Sequence, residues 1–204
     1  MKYIFDFDDV LFKNTELFKE HMFKSIALAG VPESEARKHY AKPEVRGKEF
    51  SLKKFITDLF SIYEVNYPEN ALYDDIMRKS RKFVNLELVE VMKKVGIENC
   101  YIVTNGDREF NTDKLVYSGM WDLFGGKRIC IVPDTKRNAI EEICAKYPDE
   151  KIVFIDDKPK FLNDLKDIPR LKTILFDEHG LAKLRAEIDN NLSQELKREG
   201  GKIK

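Results

Sequence analysis

A chain of 204 residues is long enough for one compact domain, or for a core domain that carries a smaller insertion. Basic and acidic residues number 36 each, and this zero net charge argues against a global electrostatic attraction to nucleic acid or to an anionic membrane. The hydrophobic fraction of 43% supports a sizeable core, yet no apolar stretch approaches the ~20 residues of a membrane-spanning helix. We therefore expect neither nucleic acid nor membrane as a partner.

The cysteines indicate a reducing compartment. Cys100, Cys130 and Cys144 are isolated, form no CxxC pair, and their odd number is a poor disulfide framework. Their apolar neighbours are typical of reduced core residues. The apolar run at the N-terminus is interrupted at Asp6, so we expect no signal peptide. A cytoplasmic location is the prediction.

The first predicted element is a short buried strand at residues 3–7, which enters an acidic loop. From Asn14 to about Phe83 the apolar residues recur at helical spacing, without a strand pattern. Thr15 is a candidate N-cap for the first of these helices. The helices predicted in this block lie at 15–29, 33–41, 49–63 and 69–83.

After Asn85 the pattern alternates between helices and strands. Strands are predicted at 100–104, 128–132, 152–155 and 171–176. Helices are predicted at 86–95, 107–117, 136–146, 160–165 and 181–196. Such alternation predicts a parallel sheet with right-handed crossovers. The chain is thus predicted to have an α/β fold, with a Rossmann-like parallel sheet core flanked by helices at 1–12 and 85–204, and an inserted all-helical cap at 13–84.

Polar residues follow the ends of these strands. In an α/β sheet, the edge formed by the carboxyl ends of the strands is the one that binds ligands. Four carboxylates, a hydroxyl, an amide and a lysine are expected to meet there: Asp6, Asp8, Thr104, Asn105, Lys136, Asp156 and Asp157. Clustered carboxylates repel each other unless a cation neutralises them, and ligand sets made only of oxygen favour magnesium. A metal and a lysine can neutralise a phosphoryl group, and an aspartate can attack phosphorus.

Four segments together resemble the haloacid dehalogenase superfamily. Residues 5–11, FDFDDVL, resemble its motif I, DxDG followed by T or V, and residues 103–106, VTNG, resemble motif II. Lys136 is placed like motif III, and residues 154–157, FIDD, resemble the DD form of motif IV. Any one motif is weak, but four in the expected order are a strong signal. The helical block falls where the superfamily inserts a cap, and residues 11–16 are similar to the segment that leads into the cap of the β-phosphoglucomutase-like branch.

The resemblance implies catalytic roles for three residues. Asp6 is expected to be the nucleophile and a metal ligand. Asp8 is expected to act first as general acid and then as general base, with its backbone carbonyl on the metal. Lys136 is expected to hold the phosphoryl charge and to orient Asp6, although the neighbouring Arg137 is an alternative. Asp9 replaces the glycine of motif I, and we expect the turn to survive because aspartate tolerates positive φ better than most residues.

Binding roles follow from the same resemblance. Thr104 is expected to bind a phosphoryl oxygen, with Asn105 beside it. Asp157 is expected to bind Mg²⁺, and Asp156 to assist directly or through water. Arg46 lies in a glycine-bearing cap segment similar to one that faces the substrate in the mutase-like branch, and it suits a second anionic group. A solvated basic turn is the alternative interpretation of that segment.

The resulting hypothesis is a magnesium-dependent phosphatase that acts on a small phosphorylated metabolite through an aspartyl-phosphate intermediate. The first alternative is a sugar phosphomutase that uses the same intermediate. The second is a phosphate-binding relative without turnover, although the acid Asp8 has no purpose in binding alone. A haloacid dehalogenase is disfavoured, because a departing halide needs no acid at that position.

Overall fold

A computed structural model describes residues 1–47 and 49–200, with side chains except those of residues 192 and 194–200. Its centre is a sheet of five parallel strands in the order β3-β2-β1-β4-β5. The strands are β1 (Lys2–Phe5), β2 (Cys100–Asn105), β3 (Ile129–Val132), β4 (Ile152–Asp156) and β5 (Leu171–Leu175). Helices cover both faces, and Ile4 and Phe5, which point to opposite faces, are each fully buried. The α/β prediction is confirmed.

The strand order creates a switch point between β1 and β4. From β1 the chain proceeds outward through β2 to β3, and then returns to the other side of β1 for β4 and β5. Phe5 pairs with Ile155 of β4, so both strands end at the same edge. Ligand sites of open α/β sheets lie outside the carboxyl ends of the strands at such a point. This edge is therefore the expected location of the functional site.

The segment between β1 and β2 is helical up to Val95. It contains a π-helical turn (Asn14–Phe18) and a 3₁₀ turn (Ser80–Phe83). Its α-helices are α1 (Lys19–Leu28), α2 (Glu33–Tyr40), α3 (Pro43–Arg46), α4 (Leu52–Tyr63), α5 (Glu69–Met77) and α6 (Leu86–Val95). The apolar face predicted for α4 is buried: Leu52, Phe55, Ile56, Leu59 and Phe60 are each at most 5% exposed. The division into core and cap at residues 12–13 and 84–85 stays a prediction.

The rest of the chain covers the sheet with further helices. These are α7 (Arg108–Ser118), α8 (Met120–Phe124), α9 (Arg137–Lys146), α10 (Pro159–Asn163) and α11 (Gly180–Gly200), with a 3₁₀ turn at Ile97–Asn99. The five-residue α8 was not predicted. Gly119 and Gly125, both in the left-handed conformation, delimit it.

Three predicted helix boundaries in the cap are wrong for local reasons. Thr15 is not an N-cap, because the N–H groups of Leu17 and Phe18 donate to the carbonyl of Lys13, and α1 begins only at Lys19. The helix predicted from residue 49 begins at Leu52, where Ser51 accepts a hydrogen bond from the N–H of Lys54. The helix predicted to reach residue 83 ends at Met77 and continues as the 3₁₀ turn.

Cap and core share one hydrophobic cluster. Phe18 and Met22 of the cap are buried in it together with Phe110 and Leu115 of α7. Polar contacts also join α5 to α7, since the Tyr73 hydroxyl donates to Asp113. All three cysteines are free, and among the described residues no helix has both the length and the apolar character needed to cross a membrane.

Candidate active site

Three deeply buried charged residues form one cluster at the switch point. Asp6 directly follows β1, Asp156 ends β4, and Lys136 is the N-cap residue of α9. All three are at most 1% exposed. The Lys136 Nζ lies 2.8 Å from the Asp6 Oδ1 and 2.6 Å from the Asp156 Oδ2. Two carboxylates thus share one ammonium group, as expected for buried charges, which are stable only when paired.

Lys136 rather than Arg137 reaches this cluster. The Arg137 guanidinium binds Asp167 with two hydrogen bonds, of 2.9 and 2.6 Å, and pairs with Glu141 of its own helix. Adjacent residues at a helix start point in different directions, so only one of the two can face the sheet. The alternative of Arg137 as the residue beside Asp6 is therefore wrong.

Burial and charge act in opposite directions on Asp6. Burial raises the pKa of Asp6, the Lys136 ammonium lowers it, and the nearby Asp156 raises it again, with a net upward shift. The Asp6 Oδ1 also accepts a 2.7 Å hydrogen bond from the N–H of Phe7. The ionised form of Asp6, which a nucleophile requires, thus depends on the cations around it.

Asp157 adds a third carboxylate to the cluster. Burial raises the pKa of Asp157 to about 6, with Lys158 opposing and Asp6 and Asp156 adding to the rise. Its Oδ1 atom is buried without a hydrogen-bond partner among the described residues. The Lys158 Nζ lies 3.8 Å away, beyond hydrogen-bond distance. Such an orphaned oxygen typically costs about 1–3 kcal/mol unless a ligand satisfies it.

These carboxylates fit a hard divalent cation. Asp6, Asp156 and Asp157 each offer one oxygen, and the three atoms lie within 4.8 Å of one another. All donors are oxygen, which suits Mg²⁺ better than a softer metal, and the Asp157 Oδ1 has no hydrogen-bond partner among the described residues. The carboxyl group of Asp8 is outside this set, and the metal contact expected of its backbone carbonyl stays a prediction.

The Asp8 carboxylate instead binds Lys114 of α7. Both of its oxygens lie 2.6 Å from the Lys114 Nζ. Lys114 is only 1% exposed, whereas the side chain of Asp8 retains 21% of its accessible surface. Lys114 was missed at the sequence level. Its spacing could have indicated that it is buried. Lys114 lies four residues after Phe110 and directly before Leu115, which places it on the buried face of its helix.

Asp9 keeps the motif I turn intact although it replaces glycine. Its φ is 60°, within the left-handed region that glycine favours, as expected. Its N–H donates to the carbonyl of Phe12 at 2.7 Å. Its carboxylate accepts hydrogen bonds of 2.6 Å and 2.7 Å from the N–H and hydroxyl of Thr15. The extra charge is thus held against the first turn of the cap.

Thr104 and Asn105 end β2, next to β1 in the sheet. Thr104 is 1% exposed, whereas Asn105 is half-buried. The Asn105 carbonyl accepts a 3.3 Å hydrogen bond from the amide of Asn111. Gly106 follows with φ of 129°, a conformation that favours glycine, and its N–H donates to Val132. The strand therefore ends in a tight turn at the same sheet edge as Asp6.

A cavity of about 230 Å³ lies between the cap helices and this edge. Met22 of α1, Tyr40 of α2 and Phe110 of α7 are among the residues that line it, and Asn105 and Gly106 reach it from β2. Its charged lining residues are four cations and two acids: Lys19, Arg46, Lys114, Lys158, Asp8 and Asp107. Arg46 thus lies where the cap faces the core. An excess of cations suits an anionic ligand.

The carboxylates of the acidic loop affect the pKa values of both Lys158 and Lys19. Burial alone would lower the pKa of Lys158, but Asp157, Asp6 and Asp8 raise it above its usual value. Burial lowers the pKa of Lys19, and Asp9 and Asp8 only partly oppose this shift. The nearest carboxylate oxygen recorded for the Lys158 Nζ is the Asp157 Oδ1, at 3.8 Å.

Solved structures decide the fold. A protein from Burkholderia xenovorans LB400, designated a haloacid dehalogenase-like hydrolase, superposes over 88% of this chain and 86% of its own, with a TM-score of 0.65 at 18% identity. The chain has the haloacid dehalogenase-like fold. The resemblance inferred from the four motifs is therefore confirmed at the level of the fold.

Two other solved structures are also similar to this chain. One, from Thermotoga maritima, is designated a β-phosphoglucomutase; it matches at 14% identity and a TM-score of 0.50, over 90% of this chain and 91% of its own. The other, a Bacillus subtilis protein designated a HAD-hydrolase and bound to magnesium, matches at 14% identity and a TM-score of 0.51, over 85% of both chains. By sequence, no family model and no curated protein matches the chain.

Proposed function

We propose that this protein is a magnesium-dependent phosphatase, which hydrolyses a small soluble phosphomonoester through an aspartyl-phosphate intermediate on Asp6. The observation that carries the proposal is the buried cluster of Asp6, Lys136 and Asp156, which lies at the sheet edge from which Asp8 and Asn105 reach a cavity with excess positive charge. A buried carboxylate held at a sheet edge by a lysine is a suitable nucleophile for an anionic phosphoryl group. The chain's location in the cytoplasm remains a prediction.

The first half of the proposed reaction transfers the phosphoryl group to the protein. An Asp6 oxygen forms a bond to phosphorus as the ester P–O bond breaks, and Asp8 gives its proton to the departing oxygen. Lys136 favours the ionised form of Asp6 and compensates phosphoryl charge, while Thr104 and Asn105 hold phosphoryl oxygens. Bound Mg²⁺, held by Asp6, Asp156 and Asp157, would supply further neutralisation of the dianion.

The second half restores the enzyme. Water attacks the phosphorus of the aspartyl phosphate and gives a proton to the Asp8 carboxylate, which now acts as base. The bond between phosphorus and the Asp6 oxygen breaks, which releases inorganic phosphate and the free carboxylate. The cap excludes bulk water from the cavity and confines the site to small substrates.

A screen of phosphorylated metabolites with Mg²⁺ tests this function when free phosphate and isomerised products are both measured. Free phosphate from at least one small monoester is the expected result. An isomerised sugar phosphate without phosphate release would assign the chain to the phosphomutases instead. Binding of phosphorylated compounds without any turnover would support the non-catalytic alternative.

Removal of metal should abolish activity, because three carboxylates converge here and the Asp157 Oδ1 has no hydrogen-bond partner in the part of the chain that the structure describes. We expect phosphate release to stop in excess chelator and to return when Mg²⁺ is restored. Asp157→Asn should raise the Mg²⁺ concentration needed for half-maximal activity. Asp149→Asn, an exposed position before the amino end of β4, is the matched control. Full activity in chelator would contradict the metal assignment.

Arg46→Ala should weaken turnover selectively. Because Arg46 lines the cavity from the cap, it can contact a second anionic group of the substrate. We expect a raised KM or a lowered kcat for a substrate with two anionic groups, and little change for p-nitrophenyl phosphate. Lys42→Ala, an exposed cation just before α3 that does not line this cavity, serves as control. Equal kinetics on both substrates would make Arg46 an ordinary surface residue.

A further inference from the structure

We infer that Lys114 is a positioning residue that fixes the carboxylate of Asp8 for its work in the cavity, an inference that rests on the proposed function. Its Nζ lies 2.6 Å from each of the two Asp8 oxygens. Because Lys114 contacts both oxygens, it fixes the orientation of the carboxylate plane as well as the position of the carboxylate group. Both residues line the cavity between cap and core.

The burial of Lys114 makes a surface role implausible on energetic grounds. Its side chain keeps 2% of its accessible surface, and among the described residues Asp8 provides its only ion pair. An ammonium group is costly to bury and is retained only where a partner compensates it. A methionine or leucine would pack in this place without that cost. The lysine is therefore explained by the carboxylate it holds.

The surroundings of Lys114 limit its movement. Its Nζ lies 4.8 Å from the ring centroid of Phe110, 5.7 Å from that of Phe7 and 5.9 Å from that of Phe12. The rings of Phe7 and Phe12 stack on each other at 5.1 Å. Aromatic rings attract a cation and also fill the space through which the chain could swing. The Lys114 ammonium group is thus held in place beside the Asp8 carboxylate.

Positioning of this kind has a kinetic signature. A shift of about 1 Å in a reacting group can cost on the order of 10²-fold in rate. Loss of Lys114 should therefore lower kcat in the same pattern as loss of Asp8, with the larger loss on the substrate whose leaving group most needs a proton. A lysine that contacted substrate directly would instead raise KM for both kinds of substrate.

The test uses Lys114→Met in the full chain with an alkyl phosphate and with p-nitrophenyl phosphate. We expect kcat for the alkyl ester to fall by roughly 10- to 10²-fold, with a smaller fall for the activated ester and little change in KM. Lys53→Met is the matched control, because Lys53 also pairs with a carboxylate on α7, Glu109, but at an exposed position outside the cavity.

A double variant separates positioning from an independent role. Asp8→Ala combined with Lys114→Met should be no slower than Asp8→Ala alone, since Lys114 acts through Asp8. An additive loss, a raised KM on both substrates, or normal kinetics of Lys114→Met would overturn the inference. If Lys114→Met does not fold, Lys114→Gln repeats the test, because its amide can still donate one hydrogen bond and should give an intermediate rate. Wild-type protein that releases phosphate from none of the screened monoesters would overturn the proposed function itself.

Discussion

Asp6→Asn should abolish phosphatase turnover while the protein stays folded. The amide is nearly the same size as the carboxylate but cannot form the acyl phosphate. The covalent intermediate on residue 6 is therefore lost. Loss of a covalent nucleophile can cost on the order of 10⁶-fold in kcat. Phosphate release from the best substrate of the screen is the measurement, under saturating Mg²⁺.

The fold should tolerate this change for reasons visible in the cluster. The asparagine oxygen can still accept the hydrogen bond from the N–H of Phe7, and Lys136 keeps its 2.6 Å contact with Asp156. Removal of one of two neighbouring carboxylates also relieves repulsion with Asp156. Asp149→Asn again provides a control at an exposed position. If Asp6→Asn folds and keeps most of its activity, Asp6 is not the nucleophile.

Asp8→Ala should impair hydrolysis of an alkyl phosphate by about 10²–10⁴-fold, the usual size of general acid–base assistance. An alkoxide leaves poorly and must be protonated, which is the task assigned to Asp8. The loss should shrink for p-nitrophenyl phosphate, whose leaving group needs less protonation. The ratio of the two kcat/KM losses is the measurement, because an unspecific disturbance of the site would affect both esters alike.

The same residue separates phosphatase from dehalogenase chemistry. Halide departs without a proton, so an acid two residues after the nucleophile would not assist a dehalogenase. The carboxylate cluster with its unsatisfied Asp157 oxygen also suits a dianionic phosphoryl group better than a carbon–halogen bond. We therefore expect no halide release from 2-chloropropionate. Halide release by the wild type, or an Asp8→Ala variant with wild-type rates on an alkyl phosphate, would contradict this assignment.

The sheet and the edge of the site were predictable because their signals are local. The continuous apolar runs that became β2 and β4 are typical of strands buried on both faces, and polar residues follow each run directly. Parallel strands bring their carboxyl ends to one edge, independently of the conformations of the connecting loops. This rule was enough to place Asp6, Thr104 and Asp156 at one edge, although it could not give the distances among them.

The partners of these residues depend on tertiary packing. The helix that carries Lys114 was predicted, but which side of it would meet Asp8 depends on how α7 packs against the acidic loop. The contact of Asp9 with Thr15 likewise could not be foreseen, because it depends on the turn between Asp9 and Phe12 that brings the Asp9 carboxylate to the N–H and hydroxyl of Thr15. Both errors arose where a side chain from one element satisfies a group of another.

Detection of the covalent intermediate tests the central proposal most directly. Wild-type protein with a substrate labelled in its phosphoryl group should be quenched in acid during turnover, digested and analysed peptide by peptide. The label should reside on the peptide that contains Asp6, should be released by hydroxylamine as an acyl phosphate is, and should be absent from Asp6→Asn. A wild-type enzyme that turns over without protein-bound label, or with the label on a peptide that lacks Asp6, would contradict the mechanism.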